Sequence, residues 1–253
     1  MSGREKDPVL AKLDRGHPFF DVVTDAYRAF DYPVPRSLDV CEGCCMEPTI
    51  EADFFTPPIA ELPLAYLQDW YSAAYDPKGV SKETWGYLLP RILEVLAAGE
   101  DVANVGLEVS LSRFATGDAS GWSDAEWRVL DLFQRMYLER AVKDDTECLD
   151  DVICMFALGG WSLPDLFAQI TAMPTEALVR RFWNDWCRNS APGRETVWIT
   201  AFWDGTGRSA AFEFYTSPIM HSRFERFAFR EDAGTELSEK ALAVLSVIER
   251  SRA

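Results

Sequence analysis

Ser81-Lys82-Glu83-Thr84-Trp85-Gly86-Tyr87-Leu88-Leu89-Pro90-Arg91-Ile92-Leu93-Glu94-Val95-Leu96-Ala97-Ala98-Gly99 carries the helical pattern from which the fold can be read. Trp85, Leu88, Leu89, Ile92, Leu93 and Leu96 recur at steps of three and four residues, the period of a helix that buries one face. Ser81 stands where an N-cap hydroxyl accepts from first-turn amides. Gly99 stands where a chain leaves a helix. Pro90 lacks an N–H and crowds the preceding turn, so it is expected to kink the helix or divide it. Arg91 and Glu94, three residues apart, read as a surface or semi-buried ion pair worth under about 1 kcal/mol. The functional alternative is a groove for a partner's carboxylate or backbone.

The same period extends to both sides. Phe19, Val22, Val23, Ala26, Tyr27 and Phe30 share a face upstream, and Pro33 and Pro35 end that helix. A cysteine-containing loop at about 36–47 follows. Pro63 opens a helix with Leu64, Leu67, Trp70, Tyr71 and Ala74 on its apolar side. Downstream, Ser123 and Glu126 have the spacing of a capping box ahead of Trp127, Leu130, Phe133, Gln134 and Tyr137. Ser162 and Asp165 repeat that spacing with a shorter carboxylate. Thr175 opens a helix through Leu178, Val179, Phe182, Trp183 and Trp186, and Ser238 opens the last, with Ala241, Leu242, Leu245 and Ile248.

The starts at Ser81, Ser123 and Ser162 are 42 and 39 residues apart, an interval that suits HEAT-type helix pairs as well as an irregular bundle. One stretch dissents. Glu195–Tyr215 is dense in β-branched and aromatic residues around Gly205-Thr206-Gly207 and has the local look of a β-hairpin. Its helical surroundings favour a helix. The expected fold is therefore all-α: one domain over 1–253, a compact multi-helix array of antiparallel helix pairs, nine or ten helices in all.

Composition bounds the rest. Apolar residues make up 48% of the 253, enough for a substantial core. The 41 acidic residues against 25 basic leave a net charge of −16, which repels phosphate backbones. Nucleic acid is not an expected partner, since Arg180 and Arg181, or Arg223, Arg226 and Arg230, read as solvated helix faces. No run of 18 apolar residues is present, so no membrane span is expected. The charged start Met1–Asp7 points to a cytoplasmic protein with reduced thiols.

Cys41-x-x-Cys44, then Thr84-Trp85-Gly86-Tyr87-Leu88-Leu89-Pro90-Arg91-Ile92-Leu93-Glu94, then Trp122-Ser123-Asp124-Ala125-Glu126-Trp127, occur in an order that resembles a family of uncharacterised bacterial proteins. Its members are helical, with an early CxxC and a TWG…LPRxLE core segment. The resemblance covers roughly residues 38–140. It implies a mostly helical fold and a bacterial cytoplasmic setting, and it implies no function. This chain departs from the pattern in its extra thiol, Cys45.

Chemical motifs are sparse. Cys41, Cys44 and Cys45 form the one suggestive cluster. A CxxC turn brings two sulfurs to one side, and zinc is the cofactor such a pair would hold. A fourth ligand would have to come from His17, His221 or Cys148. A redox couple is a further alternative, although Asp39, Glu42 and Glu47 would raise a thiol pKa there. The plain reading is packed loop thiols. Cys148 and Cys154 read as core residues, and His17 and His221 as structural ones. Asp144-Asp145 and Asp150-Asp151 read as solvated acids at a helix start. The signatures of P-loops, dinucleotide folds, zincins and serine hydrolases are missing from the sequence. The reading that remains is a non-enzymatic interaction or scaffold protein with a protein partner. The alternatives are a metal-binding or thiol-redox protein using the cysteine cluster, and an enzyme with a buried pocket lined by Trp183, Trp186, Trp198, Phe202 and Trp203.

Overall fold

The computed structural model of the chain describes residues 11–41, 48–144, 146–191 and 193–252. Cys44 and Cys45 lie outside them, as do Glu42, Glu47 and Asp145. The fold is all-α, a packed multi-helix array with no β-strand among the described residues. A single antiparallel bridge joins Val40 and Tyr75. None of the described helices is long and apolar enough to cross a membrane.

The chain divides into two compact units, one ending at Met136 but including Leu158–Trp161, the other comprising Tyr137–Ala157 and the chain from Ser162 on. The first contains α1 (Phe20–Ala29), α2 (Pro48–Phe54), α3 (Leu64–Ser72), α4 (Lys82–Ala97) and the start of α5 (Asp124–Lys143). The second contains α6 (Leu149–Leu158, through Ala157), α7 (Leu163–Ala172), α8 (Thr175–Trp186), α9 (Gly205–Tyr215), α10 (Pro218–Ala228) and α11 (Thr235–Arg252).

Helix α4 is the centre of the first unit. All residues from Thr84 to Ala97 are buried, so it has no solvent face at all. Pro90 does not divide it. The penalty of roughly 3 kcal/mol for an interior proline is outweighed by burial on every side, each large apolar side chain contributing about 1.5–3 kcal/mol. Close approach is written into Gly86, where a Cβ would lie 2.7 Å from the Tyr32 ring. The indoles buried around α4 all find acceptors. Trp85 donates to Thr116 Oγ1 (3.0 Å), Trp122 to the Thr116 carbonyl (2.9 Å) and Trp70 to the Leu38 carbonyl (3.0 Å).

Arg91 and Glu94 are not a surface pair. Arg91 is fully buried and Glu94 nearly so. The guanidinium donates to Glu94 Oε2 (2.7 Å) and to the carbonyls of Leu62 (2.9 Å) and Ala11 (3.2 Å). Glu94 also accepts from Tyr27 Oη (2.7 Å) and from Lys12 Nζ (3.3 Å). Burial, reinforced by the Glu94 carboxylate, pushes the Tyr27 phenol far above its ordinary value, so it stays a donor.

Two of the expected caps form. Ser81 Oγ accepts from Thr84 N (3.2 Å) and donates to Asp39 Oδ2 (2.7 Å). Ser123 and Glu126 close a reciprocal box, with Ser123 N donating to Glu126 Oε2 (2.7 Å) and Glu126 N to Ser123 Oγ (3.4 Å). Ser162 makes no capping bond with its side chain. Ser81→Ala is therefore expected to cost about 1 kcal/mol and Ser162→Ala only a few tenths. Urea midpoints of the two variants check this, and equal losses would contradict it.

In the second unit α11 packs on α8 and α10. Phe182 joins its core, stacked on Trp186 (centroids 4.5 Å apart) and edge-on to Tyr215 (5.6 Å) and Phe224 (5.5 Å). The hairpin alternative for 195–215 is not what forms. Gly205–Tyr215 is helical, capped by Asp204, which accepts from Gly207 N at 2.5 Å. Residues 194–200 form no helix, turn or bend, so the helix favoured for 195–215 forms only from Gly205 onward. The last helix starts at Thr235, three residues ahead of Ser238.

Candidate binding site around Trp198

The sequence places Asp150 in the first turn of α6, a position that suits a solvated acid facing the helix dipole. The structure corrects this expectation. Asp150 is only 3% exposed. Its Oδ2 accepts from Thr200 N (2.7 Å) and Trp203 Nε1 (3.0 Å), and its Oδ1 from Tyr215 Oη (2.9 Å). Burial raises its pKa, and the three donors oppose that rise without cancelling it. A carboxylate is tolerated here because each oxygen has a donor. The bonds to Thr200 and Trp203 fix the chain that enters α9.

A second buried acid lies alongside. Asp185 of α8 takes both arms of Arg181, with Nε at 3.0 Å, and accepts from Leu149 N (3.2 Å). Arg181 also donates to the Asp144 carbonyl (2.5 Å). The Cys148 thiol sits against Asp185. Burial first, then the charges of Asp185 and Asp151, push its pKa up to about 12. Cys187 is pushed up to about 11 by burial and by Glu195. Both are protonated at neutral pH and therefore poor nucleophiles. Iodoacetamide at pH 7.5 is expected to label them at least about tenfold more slowly than a free peptide thiol. Labelling at the peptide rate would contradict this.

These acids hold up two clefts that share one wall. The first, about 300 Å³, has a lining that includes Cys148, Asn184, Asp185, Arg188, Asn189 and Trp198. The second, about 570 Å³, lies between the straight segment Thr196–Ile199 and the α9 side chains Arg208, Ser209, Phe212 and Glu213. Trp198 borders both. It is 46% exposed, and its indole is held by Asp151 Oδ1 at 3.1 Å. Phe212 is 37% exposed.

The other residues singled out in the sequence are scattered. Cys41 is half-buried, with its N–H on the Ala74 carbonyl (2.7 Å). Among the described residues no three His, Cys, Asp or Glu side chains converge as a metal-binding group. Cys154 is core, but Cys148 is half-buried just ahead of α6. His17 Nδ1 accepts from Phe19 N (3.2 Å), and His221 bonds Glu249 (3.0 Å). Of the aromatic stripe, Trp186 is core, Trp203 serves Asp150, Trp183 lies under Lys240 (4.5 Å), and Trp198 alone borders the clefts. The arginines suggested as a basic face are engaged too. Arg180 pairs with Glu176 and Arg230 with Asp232, while Arg223 donates to Thr175 Oγ1 and the Thr171 and Met173 carbonyls.

A further cleft in the first unit, about 430 Å³, is formed by Val22, Ala29, Val129 and Leu132, with Asp25, Arg28 and Arg128 at its edge. Asp25 and Arg28 pair with each other there (3.0 Å). Comparison of the chain with protein-family models, curated proteins and solved structures yields no match.

Proposed function

We propose that the chain is a non-enzymatic interaction protein whose partner-binding face is the region around Trp198 and Phe212. One observation carries this reading: a partly exposed tryptophan is held in place by Asp151 between two clefts, on a segment anchored by a buried acid. Large aromatic side chains that are half-exposed yet fixed lose little freedom on binding, and they dominate contact energies. The polar groups beside them are suited to support rather than to bond-making. Asp150 and Asp185 are saturated by internal donors, and Cys148 holds its proton. The acidity of the chain favours basic partners over nucleic acid.

A photo-crosslinking amino acid at position 212 of the full chain, expressed in its own host, tests the reading. A discrete polypeptide adduct is expected, weakened at least about tenfold by Trp198→Ala, in line with the loss of an aromatic anchor. The same probe at Leu242, exposed on α11, serves as the control. Equal adducts at both positions would sink the proposal.

A further inference from the structure

Thr196-Val197-Trp198-Ile199 has the composition of a strand. It forms no helix, turn or bend, which leaves its residues the extended region of backbone space. Yet the main-chain N–H and C=O groups of these four residues hydrogen-bond to no other described residue. Both ends are pinned. Arg250 donates to the Glu195 carbonyl (3.2 Å) and to Glu195 Oε2 (2.7 Å), and Thr200 N is fixed on Asp150 (2.7 Å). The result is a preformed edge of unpaired main chain, anchored at both ends and lining a cleft of about 570 Å³. Unpaired edges of this kind are templates for another chain.

We propose that this edge takes an extended peptide from a partner protein as an added strand, and this rests on the interaction reading above. The unpaired main-chain groups specify a partner that offers main chain in return, in β conformation. The α9 wall specifies its charges. Arg208 and Glu213 form no ion pair or side-chain hydrogen bond with a described residue. Both border the cleft, and a peptide that offers an acidic residue to Arg208 and a basic one to Glu213 complements them. Trp198 and Phe212 cover its apolar neighbours. Because the edge is already ordered, binding does not bear the entropic cost of straightening it.

A random 12-residue peptide library panned against the full chain supplies the probe, and the enriched peptides are then made with single N-methyl amides. Strand addition predicts an alternating pattern, in which N-methylation at every second peptide amide weakens binding at least tenfold and the amides between tolerate it. Arg208→Glu is expected to weaken binding likewise, and reversing the peptide's acidic residue to lysine to restore it. Trp198→Ala, whose urea midpoint serves as the folding control, abolishes binding. If N-methylation is uniformly tolerated while Trp198→Ala still abolishes binding, strand addition is wrong and the interaction reading stands. If no peptide is enriched, or the binders ignore Trp198→Ala, the inference fails at this cleft and the crosslinking result decides the interaction reading alone. A concentration-dependent dimer that Trp198→Ala dissolves would make a second copy the occupant and overturn the peptide assignment.

Discussion

Replacing Asp150 by alanine is expected to destabilise the protein by about 3–5 kcal/mol, because it leaves the buried Thr200 amide, Trp203 indole and Tyr215 hydroxyl without an acceptor. The loss is less than three full orphan penalties, since the variant no longer buries a charge. Asparagine should cost only about 1 kcal/mol. Its carbonyl oxygen can take the place of Oδ2, where two N–H donors converge, and its amide can face the Tyr215 hydroxyl, which is able to accept as well as donate. Both variants also lose a pH dependence that the parent has. Folding raises the Asp150 pKa, so the native state holds that proton more tightly than the unfolded chain does. This contribution is fully present below the ordinary carboxylate pKa and is lost as pH climbs through the raised value. Urea melts across that window should show Asp150→Asn with a flatter profile than the parent. Equal losses for Ala and Asn would show that the carboxylate is not the acceptor of these three bonds.

The second large effect lies in the first unit. Arg91→Met is expected to cost about 3–5 kcal/mol, the penalty for stranding a buried charge. Glu94 would keep only Tyr27 Oη and Lys12 Nζ, and the Leu62 and Ala11 carbonyls would lose their donor. Adding Glu94→Gln to Arg91→Met should recover at least about 1 kcal/mol, since it removes the stranded charge and leaves Tyr27 an acceptor. Chemical denaturation of the parent and the two variants forms the test. If the double variant is less stable than the single one, Glu94 does not depend on Arg91 for its charge.

Much of the fold was legible because helical period and caps are local signals. Ser81, Ser123 and the stripe from Trp85 to Leu96 announced α4 and α5 in the order that forms. What local signals miss is which polar residue goes inside. Arg91 and Glu94 have ordinary i,i+3 spacing, and only their surroundings bury them. The sequence does carry a clue to the burial of Asp150. The run Val152-Ile153-Cys154-Met155-Phe156 is apolar on every side and wholly buried. A helix that enters the core all round carries its first-turn acid in with it. The segment 195–200 departs from the favoured helix for a different reason. Its composition does favour extended chain, and it is extended, but a hairpin needs a second strand and the following residues form α9 instead. Trp198 belongs to an aromatic stripe in the sequence. Its separation from the core residues of that stripe depends on Asp151, 47 residues away in sequence.

A helix enclosed on every side, as α4 is, has consequences for how this sequence can drift. An ordinary surface helix absorbs neutral change on its solvent face, and that variation traces its orientation. Thr84 to Ala97 offer no such face. A change in volume at one of these positions is felt by a neighbour, and Gly86 cannot gain even a methyl group without displacing Tyr32. Substitutions here must arrive in compensating sets, so the segment should diverge in jumps, as a block, while the exposed faces of the other helices change residue by residue.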